Sequence, residues 1–139
     1  MNKSKTYFVV DDDIDDQQFL VDALTKNNPD CKCFTASNGQ EAIAYLSDDL
    51  IPLPDVIFLD LNMPVLNGKQ FLAIIKQTTS LVQIPIVIYS TTSSKQEMQE
   101  MNERGAAYFL VKTHSFKGLC EELAAIAILA DRHSSNGPM

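Results

Sequence analysis

Val56-Ile57-Phe58-Leu59-Asp60-Leu61-Asn62-Met63-Pro64 decides how the rest of the chain is read. Four consecutive apolar residues without polar alternation fit a strand covered on both faces, and the run stops at a carboxylate. The same pattern recurs on either side of it. Residues 7–10 end at Asp11-Asp12, residues 85–89 at Ser90-Thr91-Thr92, and residues 108–111 at Lys112. A weaker run, residues 31–36, ends at Ser37. Between the runs, apolar residues return at helical spacing: Phe19, Leu20, Ala23 and Leu24; then Ala42, Ile43 and Leu46; then Phe71, Leu72, Ile74 and Ile75. A polar helix is predicted from Ser94 to Arg104, stopped by Gly105. A last one runs from about Ser115 to Asp131 and is expected to bury Phe116, Leu119, Leu123 and Ala127. Alternating strands and helices predict an α/β fold, a doubly wound five-stranded parallel sheet joined by right-handed crossovers.

Length and composition agree with one globular unit. The 139 residues are 45% hydrophobic and 21% charged, with five Gly and six Pro. That suits a single domain, 1–139, with its core at about 6–132 and a flexible tail at 133–139. A net charge of -7 argues against direct binding to nucleic acid or an anionic membrane. There is no run of the ~20 apolar residues that a membrane span needs, nor a signal-peptide core at the N-terminus. Three cysteines do not make a disulfide framework. A cytoplasmic location is expected, with no DNA-binding output module on this chain.

In open α/β sheets ligands bind beyond the carboxyl ends of the strands, where the winding reverses. In the flavodoxin-like strand order 2-1-3-4-5, the residues that follow strands 1, 3, 4 and 5 become neighbours. They are Asp11-Asp12, Asp60, Ser90 and Lys112. Three carboxylates crowded together repel, and a hard divalent cation is their natural partner. One such cation and Lys112 would cancel their charge. A phosphoryl group could then be held by the cation, the lysine and the Ser90 hydroxyl, with a carboxylate as nucleophile.

These residues resemble the receiver domain of two-component response regulators, in its stand-alone, chemotaxis-regulator-like form. The resemblance rests on Val10-Asp11-Asp12, on Leu59-Asp60-Leu61-Asn62-Met63-Pro64 followed by Gly68, on Ser90, on Gly105-Ala106-Ala107-Tyr108 and on Lys112, in that order. It implies that Asp60 is the phospho-acceptor, phosphorylated with Mg²⁺ by a histidine kinase or phosphotransfer protein. It also implies direct Mg²⁺ binding by Asp12, Asp60 and the backbone carbonyl of Asn62, with Asp11 acting mainly through metal-bound water. Ser90 and Lys112 would contact the phosphoryl group, and Phe109 would be the aromatic partner of Ser90 in the switch. Such a protein is a signalling phospho-acceptor, not an enzyme on other substrates. It acts on an unknown downstream partner, as a monomer or weak dimer. One departure stands out: the family usually has proline after the lysine, and here the residue is Thr113, so a trans peptide or a strained cis bond is expected.

Other features have plainer readings. Asp13, Asp15 and Asp16 suit the first turn of a helix, with Asp13 as its cap, and are expected to be structural. Cys31 and Cys33 face one side of a strand as reduced thiols, and His114 and His133 are expected at the surface. Met98 and Met101 suit either core packing or partner binding. A Mg²⁺ phosphatase with its nucleophile on strand 1 would leave Asp60 unexplained. A flavin-phosphate site would need a Ser/Thr/Gly-rich loop where Asp11-Asp12-Asp13 stands.

Overall fold

The computed structural model describes residues 4–92 and 94–135, with side chains described as far as residue 127. The expected tail overlaps this range only in part, and its residues 136–139 lie outside the described residues. Five strands, β1 (Thr6–Val10), β2 (Lys32–Ala36), β3 (Val56–Leu59), β4 (Ile86–Ser90) and β5 (Tyr108–Val111), alternate with five helices. These are α1 (Ile14–Asn27), α2 (Gly39–Ser47), α3 (Gly68–Gln77), α4 (Lys95–Glu103) and α5 (Phe116–Ser135). The strands form one sheet in the order β2-β1-β3-β4-β5, and every pairing is parallel.

Strand periodicity divides the core in two. Phe8, Val10, Ile57, Leu59, Ile86 and Ile88 point to the face covered by Ala42 and Leu46 of α2, Phe71, Leu72 and Ile75 of α3, and Met101 of α4. Tyr7, Val9, Phe58, Val87, Tyr89 and Leu110 point to the face covered by Leu20, Ala23 and Leu24 of α1 and by Leu119 and Leu123 of α5. Both faces of each central strand are therefore dry, which is why its sequence shows no polar alternation.

Capping fixes where each helix begins. Asp13, Asn38, Asn67 and Ser94 each accept a hydrogen bond from the amide three residues on, and Asn67 completes a capping box with Gln70. The Ser115 hydroxyl accepts from the Gly118 amide at 3.0 Å at the start of α5. Gly68 opens α3 against the backbone of β3, where a Cβ would lie 2.7 Å from Leu61 Cα. No side chain fits there.

One expectation about helix faces needs correction. Ala127 is exposed, and the half-buried Ile126 packs against the core in its place. Helix α3 packs on the core through Phe71, Leu72 and Ile75, and Ile74 is 38% exposed. Helix α5 also continues to Ser135, one turn beyond the expected end at Asp131. His114 is exposed, whereas the side chain of His133 lies outside the described residues. All three cysteines are free, and Cys31 Sγ lies 3.8 Å from Cys33 Sγ.

The methionine question is answered by burial: Met101 is wholly buried while Met98 is half-buried. Met101→Ala should cost about 2–5 kcal/mol of stability through cavity formation, and Met98→Ala less than about 1 kcal/mol. Urea denaturation of the two variants checks the contrast.

Candidate functional site

The carboxyl edge of the sheet carries the site because the ladder runs one residue past each strand. The Asp11 amide donates to the Ala36 carbonyl at 3.0 Å, the Asp60 amide to Val10 at 2.9 Å and the Lys112 amide to Ser90 at 2.7 Å. Each functional residue is thus held by backbone bonds of sheet type before its side chain makes any contact. The buried Gln17 of α1 adds a stitch, its amide nitrogen donating to the Asp11 and Ala36 carbonyls.

Asp11, Asp12 and Asp60 bring one carboxylate oxygen each to within 4.8 Å of the others. Asp11 is 1% and Asp60 6% exposed, whereas Asp12 lies open to solvent. Asp11 Oδ1 accepts from the Asp13 amide at 2.9 Å, and Asp60 Oδ1 receives the Asn62 amide at 3.5 Å. Lys112 is the cation among them. Its Nζ lies 2.7 Å from Asp16 Oδ2, 2.9 Å from Asp11 Oδ2 and 4.0 Å from Asp60 Oδ1. It also sits 5.3 Å from the centre of the buried Tyr89 ring, where the ring's quadrupole favours a cation. Ser90 is completely buried at the end of β4, its Oγ 3.4 Å from the Thr92 amide.

The electrostatics follow from this crowding. Burial pushes the Asp60 carboxyl up to about 6, and the negative charge of Asp11 adds to the rise against the opposing pull of Lys112. Burial likewise raises Asp11, against the hydrogen bond from the Asp13 amide and the pull of the adjacent Lys112 ammonium. For Lys112, burial alone would lower the ammonium, but the hydrogen bond to Asp16 and the adjacent Asp11 carboxylate outweigh it and leave the group firmly charged.

These residues fit a divalent cation. The oxygens are hard donors, converge from the ends of two neighbouring strands, and carry more negative charge than Lys112 can neutralise. Asp11 Oδ2 is buried and ion-paired with Lys112 yet receives no well-aimed hydrogen bond, so it has a lone pair to spare.

The edge thus brings together Asp11, Asp12, Asp60 and Lys112, with Ser90 at the end of the neighbouring strand. Phe109 is half-buried on the same sheet face as Ser90, in the adjacent strand, where the register pairs Ile88 with Phe109 and Ser90 with Val111. The peptide between Lys112 and Thr113 is trans. Asp13 is the helix cap, as expected, with its carboxylate 3.0 Å from the Asp16 amide. Asp16, besides its place in the first turn of α1, binds Lys112 through its carboxylate across 96 residues of sequence. The acidic run Asp11-Asp12-Asp13 and Asp15-Asp16 hinted at this only through its density.

Comparison with known proteins gives a consistent result. The family model described as the response regulator receiver domain matches residues 7–124. The response regulator Rcp1 of Synechocystis sp. is 28% identical over 129 residues, covering 90% of this chain and 88% of that one. Its Mn²⁺-bound crystal structure superposes with a TM-score of 0.77 at 28% identity, over 88% of this chain and 91% of that one. The phosphorylated cyanobacterial phytochrome response regulator RcpA gives a TM-score of 0.80 at 28% identity, over 89% and 91% of the two chains. A protein-glutamate methylesterase/protein-glutamine glutaminase of Clostridium acetobutylicum is 37% identical over 95 residues. The match covers 68% of this chain but only 26% of that longer protein.

Two measurements test the electrostatics. With Asp60 raised from 3.8 to about 6, the folded state keeps a proton that the unfolded chain has already lost. Stability is therefore full below the unfolded value and falls as pH rises towards about 6, by about 3 kcal/mol once both states are ionised. Without metal, Asp60→Asn should abolish that loss, so the variant should gain on wild type between about pH 4 and pH 6 in paired denaturation curves. Divalent metal should restore stability to the wild type at neutral pH. Asp12→Ala should blunt that gain in a melting series, and an unchanged metal response would remove Asp12 from the ligand set.

Proposed function

The chain belongs to the response regulator receiver family, and from that membership we propose that Asp60 is its phospho-acceptor, charged by a histidine kinase or phosphotransfer protein. A receiver is a signalling component of two-component systems. In the transfer, a bond forms between an Asp60 carboxylate oxygen and phosphorus as the bond from phosphorus to the donor's imidazole nitrogen breaks. The observation that carries the assignment is the setting of Asp60. It is a buried carboxylate just beyond central strand β3, flanked by Asp11, Asp12 and the Lys112 ammonium.

The divalent ion of this reading is Mg²⁺, held by Asp12, Asp60 and the backbone carbonyl of Asn62, with Asp11 acting through bound water. When bound, it supplies positive charge to the phosphoryl oxygens. Lys112 and the Ser90 hydroxyl take the remaining oxygens. Ser90 ends β4 and Lys112 directly follows β5, so the backbone presents both groups to the incoming charge.

Phosphorylation would then act as a switch. An anion at Asp60 would offer the Ser90 hydroxyl a strong acceptor, and drawing the hydroxyl towards it would vacate space beside Phe109. The apolar ring has no hydrogen bond to lose on filling it. Because these contacts exist in one state alone, they supply the differential affinity that shifts the equilibrium. The face made by α4, β5 and α5 is the surface a downstream partner would read. The same reading makes residues 1–139 one receiver domain, cytoplasmic and a monomer or weak dimer.

Wild-type protein incubated with Mg²⁺ and a small phosphodonor such as acetyl phosphate should gain one phosphoryl group by intact mass, and Asp60→Asn none. Equal uptake by both would place the acceptor elsewhere.

A further inference from the structure

Lys112 has three carboxylates within reach, and its geometry toward them is unequal. Asp16 Oδ2 at 2.7 Å is the one that receives its hydrogen bond. Asp11 Oδ2 is close at 2.9 Å but receives no aligned hydrogen bond. Asp60 Oδ1 stands off at 4.0 Å. The ammonium is thus drawn to the α1 side of the site, away from the residue that takes the phosphoryl group.

Helix α1 does not need the Asp16 carboxylate for its own start. Asp13 caps it and satisfies the Asp16 amide, and Asp15 offers a second carboxylate to the same turn. The side chain of Lys112 is 11% exposed and that of Asp16 38%, so the pair lies at the mouth of the site, with water to solvate Asp16 once it is released. The chain between Asp13 and Gln17 is fixed at both ends, by the cap and by the stitch to Asp11 and Ala36. Asp16 therefore faces Lys112 from a rigid turn.

We infer that Asp16 is a positioning residue that competes with the phosphoryl group for Lys112. It parks the ammonium while Asp60 is unmodified and gives it up when an anion at Asp60 outbids it. This rests on the reading of Asp60 as acceptor and goes beyond it. A conformational equilibrium responds only to the difference in affinity between its states, and Asp16 subtracts from that difference because it binds Lys112 in the unmodified state. It thus sets how strong an anion must be to engage the site.

The test is titration with beryllium fluoride, a phosphoryl mimic, in saturating Mg²⁺, followed by NMR or calorimetry. Asp16→Ala should lower the half-saturating concentration by roughly 3–10-fold, the scale of one charge-assisted hydrogen bond partly open to water. Asp15→Ala removes the same charge one residue earlier and should leave the value within about 2-fold of wild type. Asp16→Glu should return it towards wild type. Asp16→Asn, which preserves shape and loses charge, should fall between. A merely structural ion pair would give the opposite sign, with Asp16→Ala weakening the mimic or leaving it unchanged. That result, or equal effects of Asp15→Ala and Asp16→Ala, would overturn the inference. If wild type itself bound no mimic, the acceptor reading of Asp60 would fail first, so the two failures are distinguishable.

Discussion

Two carboxylates taken almost wholly out of water, Asp11 and Asp60, face each other across one buried lysine. Everything else at this edge answers to that constraint. Like charges at low dielectric repel strongly, and either group could escape by taking a proton, as the rise of Asp60 to about 6 records. The protein tolerates the arrangement because the backbone holds both residues and Lys112 offsets part of the charge. The remainder is what a divalent cation bound by these hard oxygens would offset.

The fold supplies the rigidity. β1 and β3 are interior strands of a wholly parallel sheet, so their carboxyl ends are paired on both sides and cannot splay. Asp11 and Asp60 continue that pairing through their own amides. Gly68 lets the chain after Met63-Pro64 return so closely on β3 that its amide reaches the Leu61 carbonyl at 3.1 Å. The loop that follows Asp60 is thereby tied to the strand that presents it. In that loop Val65 holds φ 71, a conformation β-branched residues rarely adopt.

Much of this could be read from the chain because each functional residue is the first polar one after an apolar run. Asp11, Asp60, Ser90 and Lys112 are marked by position, and the parallel topology that gathers them follows from the lack of alternation in residues 56–59. What could not be read depended on rotation about a helix axis. Neighbouring helix positions differ by about 100°, so a small error of phase exchanges Ala127 for Ile126 at the core. Asp16 was obscured for the same reason. Three carboxylates lie in the first turn region of α1, and only the three-dimensional placement of Lys112 selects one of them. The trans peptide before Thr113 conforms to the ordinary preference of a non-proline bond.

Strand parity has a last consequence. Ser90 lies on the same side of the sheet as Ile88 and Phe109, above the compartment sealed by α2, α3 and α4. Lys112 lies on the opposite side, over the Tyr89 ring and beside α1, above the compartment sealed by α1 and α5. A group touching both would pull on two insulated packing units at once, one through a hydroxyl and the other through an ammonium. The sheet acts as a partition with a single event at its rim and two separate mechanical outlets.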